Sequence, residues 1–274
     1  MVDAFTDKIF TGNPAAILLN PVILPDTTMQ RIAREFNLSE TAFPTPIEGS
    51  SFEQPYRFNL RWFTPTVEVP LCGHATLATA HVILSELGNS NSKLVFSTHS
   101  GDLVISRDGD FYVMDFPSGV AQPVDIYEDV LKALKLGQND VEEMLYCEEP
   151  NKLLVVLRDV DVVRNVTPDF PCLLEVSKNL NAGSVIVTAL SPSSKYDFIS
   201  RNFAPLHGVN EDPVTGSSHV ILGPYWQKRL DKYQLRAYQA STRGGSMELE
   251  IRSSGRILLK GTARTVAKGT MNVE

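Results

Sequence analysis

The sequence contains few cysteines and no long apolar run. Its three cysteines, Cys72, Cys147 and Cys172, are far apart and odd in number among 274 residues. That pattern argues against a disulfide framework and is typical of free thiols in a reducing compartment. No apolar run approaches the roughly 18 residues of a membrane-spanning helix, and the first residues, MVDAFTDKIF, lack the basic and apolar regions of a signal peptide. We therefore expect a cytoplasmic protein that does not enter a membrane.

The chain also lacks an excess of positive charge. It has 25 Lys and Arg against 32 Asp and Glu, a net charge of −7, which argues against nucleic acid as a partner. No G-x-G-x-x-G, Walker A or G-x-S-x-G motif occurs, so dinucleotide binding, nucleotide-phosphate binding and serine hydrolysis have little support. Cys72 and His74 do not have the spacing of zinc ligands. We expect neither a metal nor a cofactor.

What the sequence does contain is an internal repeat. Residues 56–65, YRFNLRWFTP, match residues 196–205, YDFISRNFAP, at five positions. Further along, the pattern Ser-Thr-x-x-Gly at 97–101 recurs at 241–245. Matches that keep the same order favour a duplicated unit over coincidence between common strand patterns.

Each repeated block is followed by a glycine that opens a helix-like segment, Gly73 in LCGHAT and Gly216 in VTGSSH. The repeat predicts two half-chain domains, residues 1–117 and residues 118–274, with the alternative that the last strand pairs with the first half. An acidic, proline-containing segment follows the first boundary, as is typical of a linker.

The pattern of apolar and charged residues predicts three helices, two of which begin at these glycines. A surface helix begins at Asp26 as N-cap and ends at Asn37 in the left-handed conformation. Its apolar face consists of Met29, Ile32, Ala33 and Phe36. Residues 74–87 carry almost no charge, which predicts a buried helix. Residues 217–229 are a weaker copy, in which Pro224 is expected to kink or shorten the helix.

The starts of the two buried helices indicate anion binding. The first turn of a helix has unpaired N–H groups and the positive end of the helix dipole. Gly73 and Gly216 would let a ligand approach the backbone closely, and Ser217 would donate a hydrogen bond to the same anion. This arrangement suits a carboxylate-bearing substrate. The alternative is that the glycines only form tight turns and that Ser217 only caps the helix.

Four further polar residues are candidates for the chemistry. His74, at the first helix start, is expected to be neutral and able to transfer a proton, or it is simply a packed histidine. Glu40, on one strand face with Ala42, suits a general acid/base, or it faces water from an edge strand. Asp212, before a proline, projects at the second helix start or forms a turn. Cys72 is a second base or a small buried residue.

Four motifs in fixed order resemble the PhzF-like (phenazine biosynthesis) family along nearly the whole chain. They are GNPAAI (12–17), NLSETAF (37–43), RWFTPTVEVPLCGHATLATAH (61–81) and EDPVTGSSH (211–219). The resemblance implies an α+β fold like that of diaminopimelate epimerase. In that fold, two pseudo-symmetric domains each wrap a curved mixed sheet around a central helix.

The resemblance also implies a function. It assigns catalytic roles to Glu40, His74 and Asp212 and substrate contacts to Ser217 and Asn13, in a cleft between the two halves. The implied activity is that of a cofactor-independent isomerase or epimerase, with Glu40 moving a proton on a small carboxylate-bearing metabolite. Either a monomer or a homodimer is compatible with it.

One departure from the epimerases concerns their pair of cysteines, one before each central helix. Cys72 occupies the first place, but Thr215 stands at the second. A symmetric two-thiol racemisation is therefore less well supported than proton transfer by one carboxylic acid. Two alternatives remain open: a non-catalytic metabolite-binding or interaction module that keeps the cleft, and a cysteine hydrolase that uses Cys72.

Overall fold

The structure is a computed structural model that describes residues 1–47, 49 and 51–273. Contacts between residues divide the chain into two compact units. The first unit consists of Met1–Asp115 together with Lys260–Glu274, and the second of Phe116–Leu259. The chain therefore returns to its first unit after completing the second. No helix among the described residues has both the length and the apolar character needed to cross a membrane.

The two units contain helices, strands and a few short turns of other helix types. The helices are α1 (Asp26–Phe36), α2 (Gly73–His81), α3 (Glu128–Leu134), α4 (Val160–Asn165), α5 (Phe170–Asn179) and α6 (Gly216–Leu230). The strands are β1 (Val2–Ala4), β2 (Asn13–Ile17), β3 (Glu40–Pro46), β4 (Arg57–Phe63), β5 (Glu68–Val69), β6 (Lys93–Thr98), β7 (Gly101–Asp108), β8 (Phe111–Pro117), β9 (Gln122–Val124), β10 (Val141–Cys147), β11 (Lys152–Leu157), β12 (Ser184–Leu190), β13 (Phe198–Ala204), β14 (Val209–Asp212), β15 (Gln234–Gln239), β16 (Gly245–Arg252), β17 (Arg256–Gly261) and β18 (Ala263–Thr265). A π-helical turn, Val82–Glu86, extends α2, and 3-10 turns occupy Gln138–Asp140 and Pro205–His207.

The first unit is a mixed sheet around α2. β1 and β2 are antiparallel, β2 and β3 parallel, β3 and β4 antiparallel, and β4 and β6 parallel. β6, β7 and β8 then form antiparallel pairs, and β18 pairs with β1. α2 packs on β1, β2 and β3. All of its residues after Gly73 are buried, which confirms the buried helix expected from its lack of charge.

The second unit repeats this order of pairings. β10 and β11 are antiparallel, β11 and β12 parallel, β12 and β13 antiparallel, and β13 and β15 parallel. α4 and α5 connect β11 to β12, where α1 connects β2 to β3. In chain order α6 follows β13 and β14 as α2 follows β4 and β5, and it packs on β15 and β16. The same strand order with the same directions is what a duplicated sequence produces.

The repeated sequence blocks make equivalent contacts in the two units. In each, the arginine of the block forms an ion pair of 2.7 Å with a glutamate on the next short strand. The same guanidinium lies over a phenylalanine ring two residues ahead, 5.2 Å from the ring centroid in the first unit and 4.9 Å in the second. The residues are Arg61, Glu68 and Phe63 in the first unit and Arg201, Glu211 and Phe203 in the second.

Helix α1 has the predicted face but begins differently. Met29, Ile32 and Ala33 are buried in a cluster with Phe43 and Phe63. The predicted cap was wrong by one position: Pro25 is the N-cap and Asp26 is already helical. The Asp26 carboxylate accepts a hydrogen bond from Arg61 at 2.7 Å instead of capping a backbone N–H. Asn37 ends the helix with φ 49° and ψ 37°, the left-handed conformation expected.

Helix α6 corrects the expectation that Pro224 would shorten it, because the helix runs over 15 residues with the proline inside. A proline inside a helix leaves the carbonyl four residues earlier without its usual donor. Here that carbonyl belongs to Val220, and it accepts a hydrogen bond from the backbone N–H of Gly119 at 2.9 Å. A neighbouring segment thus replaces the missing donor, and the helix continues.

Candidate active site

Glu40 and Asn13 project from the same face of the first unit's sheet. Glu40 begins β3 and pairs with Ala15 of β2, and Asn13 lies two residues before Ala15 on that strand. Paired residues, and residues two apart on a strand, face the same side of a sheet. The Asn13 side chain is fully buried, and the Glu40 side chain is 18% exposed. Glu40 therefore stands at the edge of the core and does not extend into bulk water.

Helix α2 brings two further predicted residues to Glu40. Cys72 is the extended N-cap residue and Gly73 the first helical residue. His74 follows, with Nε2 3.2 Å from Glu40 Oε2 and Nδ1 3.5 Å from Cys72 Sγ. The imidazole therefore lies between the thiol and the carboxyl group.

The contact between His74 and Glu40 leaves hydrogen-bonding capacity unused. Glu40 Oε2 and His74 Nε2 are both buried, and neither atom forms a hydrogen bond of good geometry within the described part of the chain. Buried polar atoms in folded proteins almost always have a partner. Two such atoms side by side are therefore suited to a ligand that bonds to both.

The charge of His74 is set by its neighbours. Burial lowers the pKa of His74, but the anionic forms of Cys72 and Glu40 together raise it by more, and the pKa lies well above its ordinary value of 6.5. Burial, and then the charge of Glu40, raises the pKa of Cys72. The raised pKa of His74 favours the charged imidazole, whereas the helix dipole alone predicts the neutral form.

Cys72 has the environment of an inert thiol. It is 6% exposed, and its raised pKa favours the protonated form. A reactive cysteine needs a lowered pKa and access to solvent. The geometry thus favours a small buried residue, one of the two interpretations left open, over a second base or a hydrolase nucleophile.

Three of these side chains are of types that can bind a metal ion. One ligand atom from each of Glu40, Cys72 and His74 lies within 4.8 Å of the others. However, the imidazole presents Nδ1 to the sulfur and Nε2 to the carboxylate. A single ion needs one nitrogen directed at the centre of the ligand set, so the imidazole is not oriented for a three-ligand metal site.

In the second unit, Asp212 and Thr215 lie together before α6. The Thr215 hydroxyl donates a short hydrogen bond to Asp212 Oδ2. Gln239, from β15, accepts from the Thr215 backbone N–H at 2.9 Å and donates to the Asp212 carbonyl at 2.7 Å. Sequence reasoning missed Gln239, which is 24 residues downstream of Thr215; only the parallel pairing of β13 with β15 brings it there.

The start of α6 distinguishes its two serines. Gly216 is the first helical residue. The Ser218 hydroxyl is buried and donates to Asn202 Oδ1 at 3.1 Å. Ser217 is partly exposed, and its hydroxyl forms no hydrogen bond with the described residues. Ser217 is thus the serine whose hydroxyl is available to a ligand. The structure groups Asp212, Gly216 and Ser217 in one unit, and the other five predicted residues in the other.

Comparisons with known proteins agree with this architecture. The family model of phenazine biosynthesis-like proteins matches residues 2–269. Phenazine biosynthesis-like domain-containing protein 2 of Mus musculus is 43% identical, covering 99% of this chain and 97% of the relative. An uncharacterised isomerase of Pseudomonas aeruginosa is 42% identical, covering 99% of this chain and 97% of the relative.

Solved structures confirm the fold. A PhzF-family protein of Enterococcus faecalis superposes with a TM-score of 0.88 at 41% identity, covering 98% of this chain and 96% of that one. A probable proline racemase of Agrobacterium radiobacter superposes with a TM-score of 0.62 at 9% identity, covering 100% of this chain and 92% of that one, a likeness of fold alone. The α+β diaminopimelate-epimerase-like fold is thus confirmed, and the chain belongs to the phenazine biosynthesis-like (PhzC-PhzF) family.

Proposed function

We propose that this protein is a cofactor-independent isomerase that moves a proton on a small carboxylate-bearing metabolite, with Glu40 as the general acid/base. The observation that carries the proposal is the contact of 3.2 Å between Glu40 Oε2 and His74 Nε2. Both atoms are buried and have hydrogen-bonding capacity to spare. A relative at 42% identity that is named an isomerase supports the reaction class.

In the proposed reaction, the Glu40 carboxylate takes a proton from a carbon beside an electron-withdrawing group. The C–H bond breaks, its electron pair is delocalised into that group, and an O–H bond forms on Glu40. Glu40 then returns the proton to another carbon of the substrate, and its O–H bond breaks as the new C–H bond forms. The nearby imidazolium of His74 donates a hydrogen bond to the negative charge that develops on the substrate.

The start of α2 accounts for the proposed substrate class. The backbone N–H groups that follow Gly73 and the positive end of the helix dipole favour an anionic group. A Cβ added at Gly73 would meet nothing within 4 Å, so the space beside this backbone is open. In the second unit, we propose Asp212, Gly216 and Ser217 as binding residues for polar groups of the same class of ligand.

Solvent exchange tests the proposal even while the substrate is unidentified. The protein is incubated with a metabolite extract in D2O, and mass spectrometry identifies any metabolite that gains carbon-bound deuterium. We expect one metabolite, or an interconverting pair, to exchange with the wild-type protein. Glu40→Gln should slow this exchange by about 10²-fold or more, the range for general acid/base catalysis.

A matched control is Glu35→Gln, which changes an exposed glutamate on α1 and should leave exchange at the wild-type rate. Full exchange by Glu40→Gln would refute the assigned role. A metabolite that binds but never exchanges would instead support the non-catalytic binding module.

A further inference from the structure

Lys152 in the second unit has no role in the chemistry proposed so far. It is the first residue of β11 and is only 8% exposed. Its ammonium group donates a hydrogen bond of 2.7 Å to the hydroxyl of Ser184. Within the described part of the chain, no carboxylate lies at ion-pair distance from this ammonium.

A buried ammonium with one neutral partner is incompletely satisfied. Lysine has three N–H donors, and only the one directed at Ser184 has an acceptor among the described residues. Burial lowers the pKa of Lys152 to about 8, although Asp212 and Cys147 act in the opposite direction. Near neutral pH the group therefore remains mostly cationic, in a place where an unpaired charge is unfavourable. A bound anion would supply the missing acceptors and charge.

The strand register shows which residue of the first unit is equivalent to Ser184, the hydrogen-bond partner of Lys152. Glu40 immediately precedes the residue paired with Phe63, and Ser184 immediately precedes the residue paired with Phe203. Since Phe63 and Phe203 are equivalent in the repeat, Ser184 occupies in the second unit the place of Glu40 in the first.

The residues paired with Glu40 and Ser184 on the adjacent parallel strands also differ between the two units. Glu40 pairs with Ala15 on β2, and Ser184 pairs with Lys152 on β11. The first unit thus has a carboxylate beside a small apolar residue, and the second has a hydroxyl beside an ammonium. Within this equivalent pair of positions, the acidic residue of the first unit lies on one strand and the basic residue of the second unit on the neighbouring strand. The second unit is therefore suited to hold an anion and not to accept a proton from carbon.

The charge of Lys152 also affects His219, which lies in the first turns of α6. Burial lowers the pKa of His219, and the positive charge of Lys152 lowers it further, to about 4. His219 Nδ1 donates to the carbonyl of Thr215, the N-cap residue of α6, at 2.8 Å. His219 is therefore neutral, and the ammonium of Lys152 and the N-terminus of α6 are two positive features of one region.

We propose that Lys152, together with Ser184, binds a small carboxylate and is the anion-binding residue of the second unit. The binding of a small anion to Lys152 does not depend on the acid/base role proposed for Glu40, and it can be measured separately.

Malonate is the probe, titrated at constant ionic strength with the melting temperature as the readout. We expect malonate to stabilise the wild-type protein and Lys152→Met to weaken its binding about tenfold or more, since a charge-assisted hydrogen bond is lost. Lys178→Met, which changes an exposed lysine on α5, should bind as the wild type does. Equal binding by Lys152→Met, or no stabilisation of the wild-type protein, would overturn the proposal.

A second measurement needs no variant. Wild-type protein is treated with cyanate, and carbamylation of each lysine is followed by peptide mapping with and without malonate. Malonate should slow carbamylation of Lys152 and leave that of Lys178 unchanged. Equal rates at Lys152, or no carbamylation there at all, would contradict an accessible anion site, because cyanate is smaller than malonate.

The two proposals fail in distinguishable ways. If both hold, Glu40→Gln loses deuterium exchange but still binds malonate, whereas Lys152→Met loses malonate binding. Exchange by Glu40→Gln would refute only the acid/base role. Malonate binding by Lys152→Met would refute only the anion site.

Discussion

The protonation of His74, at the start of α2, depends on neighbours that the fold brings together. His74 is two residues from Cys72 in the sequence, whereas Glu40 precedes His74 by 34 residues. The sequence offers all three residues as candidates. It did not give the protonation of the imidazole, because the helix dipole can be inferred locally and the distance to Glu40 cannot.

The raised pKa of His74 predicts a pH dependence of stability. A group whose pKa is raised on folding stabilises the native state fully below its unfolded value, here near 6.5. That stabilisation is lost as the pH rises through the folded value. We expect the free energy of unfolding, measured in urea, to fall with pH above about 6.5, and His74→Gln to remove this part of the slope.

Glu40→Gln is the second variant in that measurement. It removes the carboxylate that favours the imidazolium and should reduce the same slope. Parallel pH profiles for the wild-type protein and both variants would show that His74 is not held in its charged form.

Gly12 supports the position of Asn13 through backbone geometry. Its φ is +70°, and an added Cβ would lie 2.2 Å from the carbonyl oxygen of Ala4. Gly255 has a similar φ of +75° but open space around it. We expect Gly255→Ala to cost about 1 kcal/mol for the left-handed conformation alone and Gly12→Ala to cost clearly more, by urea unfolding. Equal losses would mean that the backbone near Ala4 yields without strain.

At the level of elements, the repeat was the most informative part of the sequence. The equivalence of 56–65 with 196–205 anticipated that β4 and β13 have the same neighbours in their units. The pattern did not show that Lys152 stands beside Ser184, or that Gln239 reaches Thr215. Those contacts depend on parallel strand register, which is set by long-range packing and leaves no local mark in the sequence.

Pro224 offers a test of how α6 tolerates its proline. An interior proline usually destabilises a helix by about 3 kcal/mol. Because the Val220 carbonyl already accepts from Gly119, Pro224→Ala should recover much less, about 1 kcal/mol or below, in urea unfolding. A gain near the full amount would show that the Gly119 contact does not replace the lost bond.

At the level of the whole molecule, the last residues belong to the first unit. β18 pairs with β1, with Val2 opposite Thr265, and the Thr6 backbone N–H donates to the Thr262 carbonyl at 3.2 Å. Removal of these residues would leave β1 with an unpaired edge. An unpaired strand edge both loses hydrogen bonds and invites aggregation.

Truncation after Gly261 should therefore unfold the first unit and leave the second protected. Limited proteolysis with peptide mapping measures this directly, with cleavage expected within residues 1–115 and not within 116–259. Truncation after Met271, which keeps β18, is the matched control and should resist proteolysis as the intact chain does. Resistance of the shorter chain would show that β18 is dispensable.

The same return of the chain determines the order in which the halves can be completed on the ribosome. Strand β1 is synthesised before the second unit and its partner β18 after it, whereas the second unit occupies one continuous stretch, Phe116–Leu259. During translation, the second unit has all of its residues available while the first still waits for its final strand. The unit that carries Glu40 and His74 is thus begun before the second unit and completed only after it.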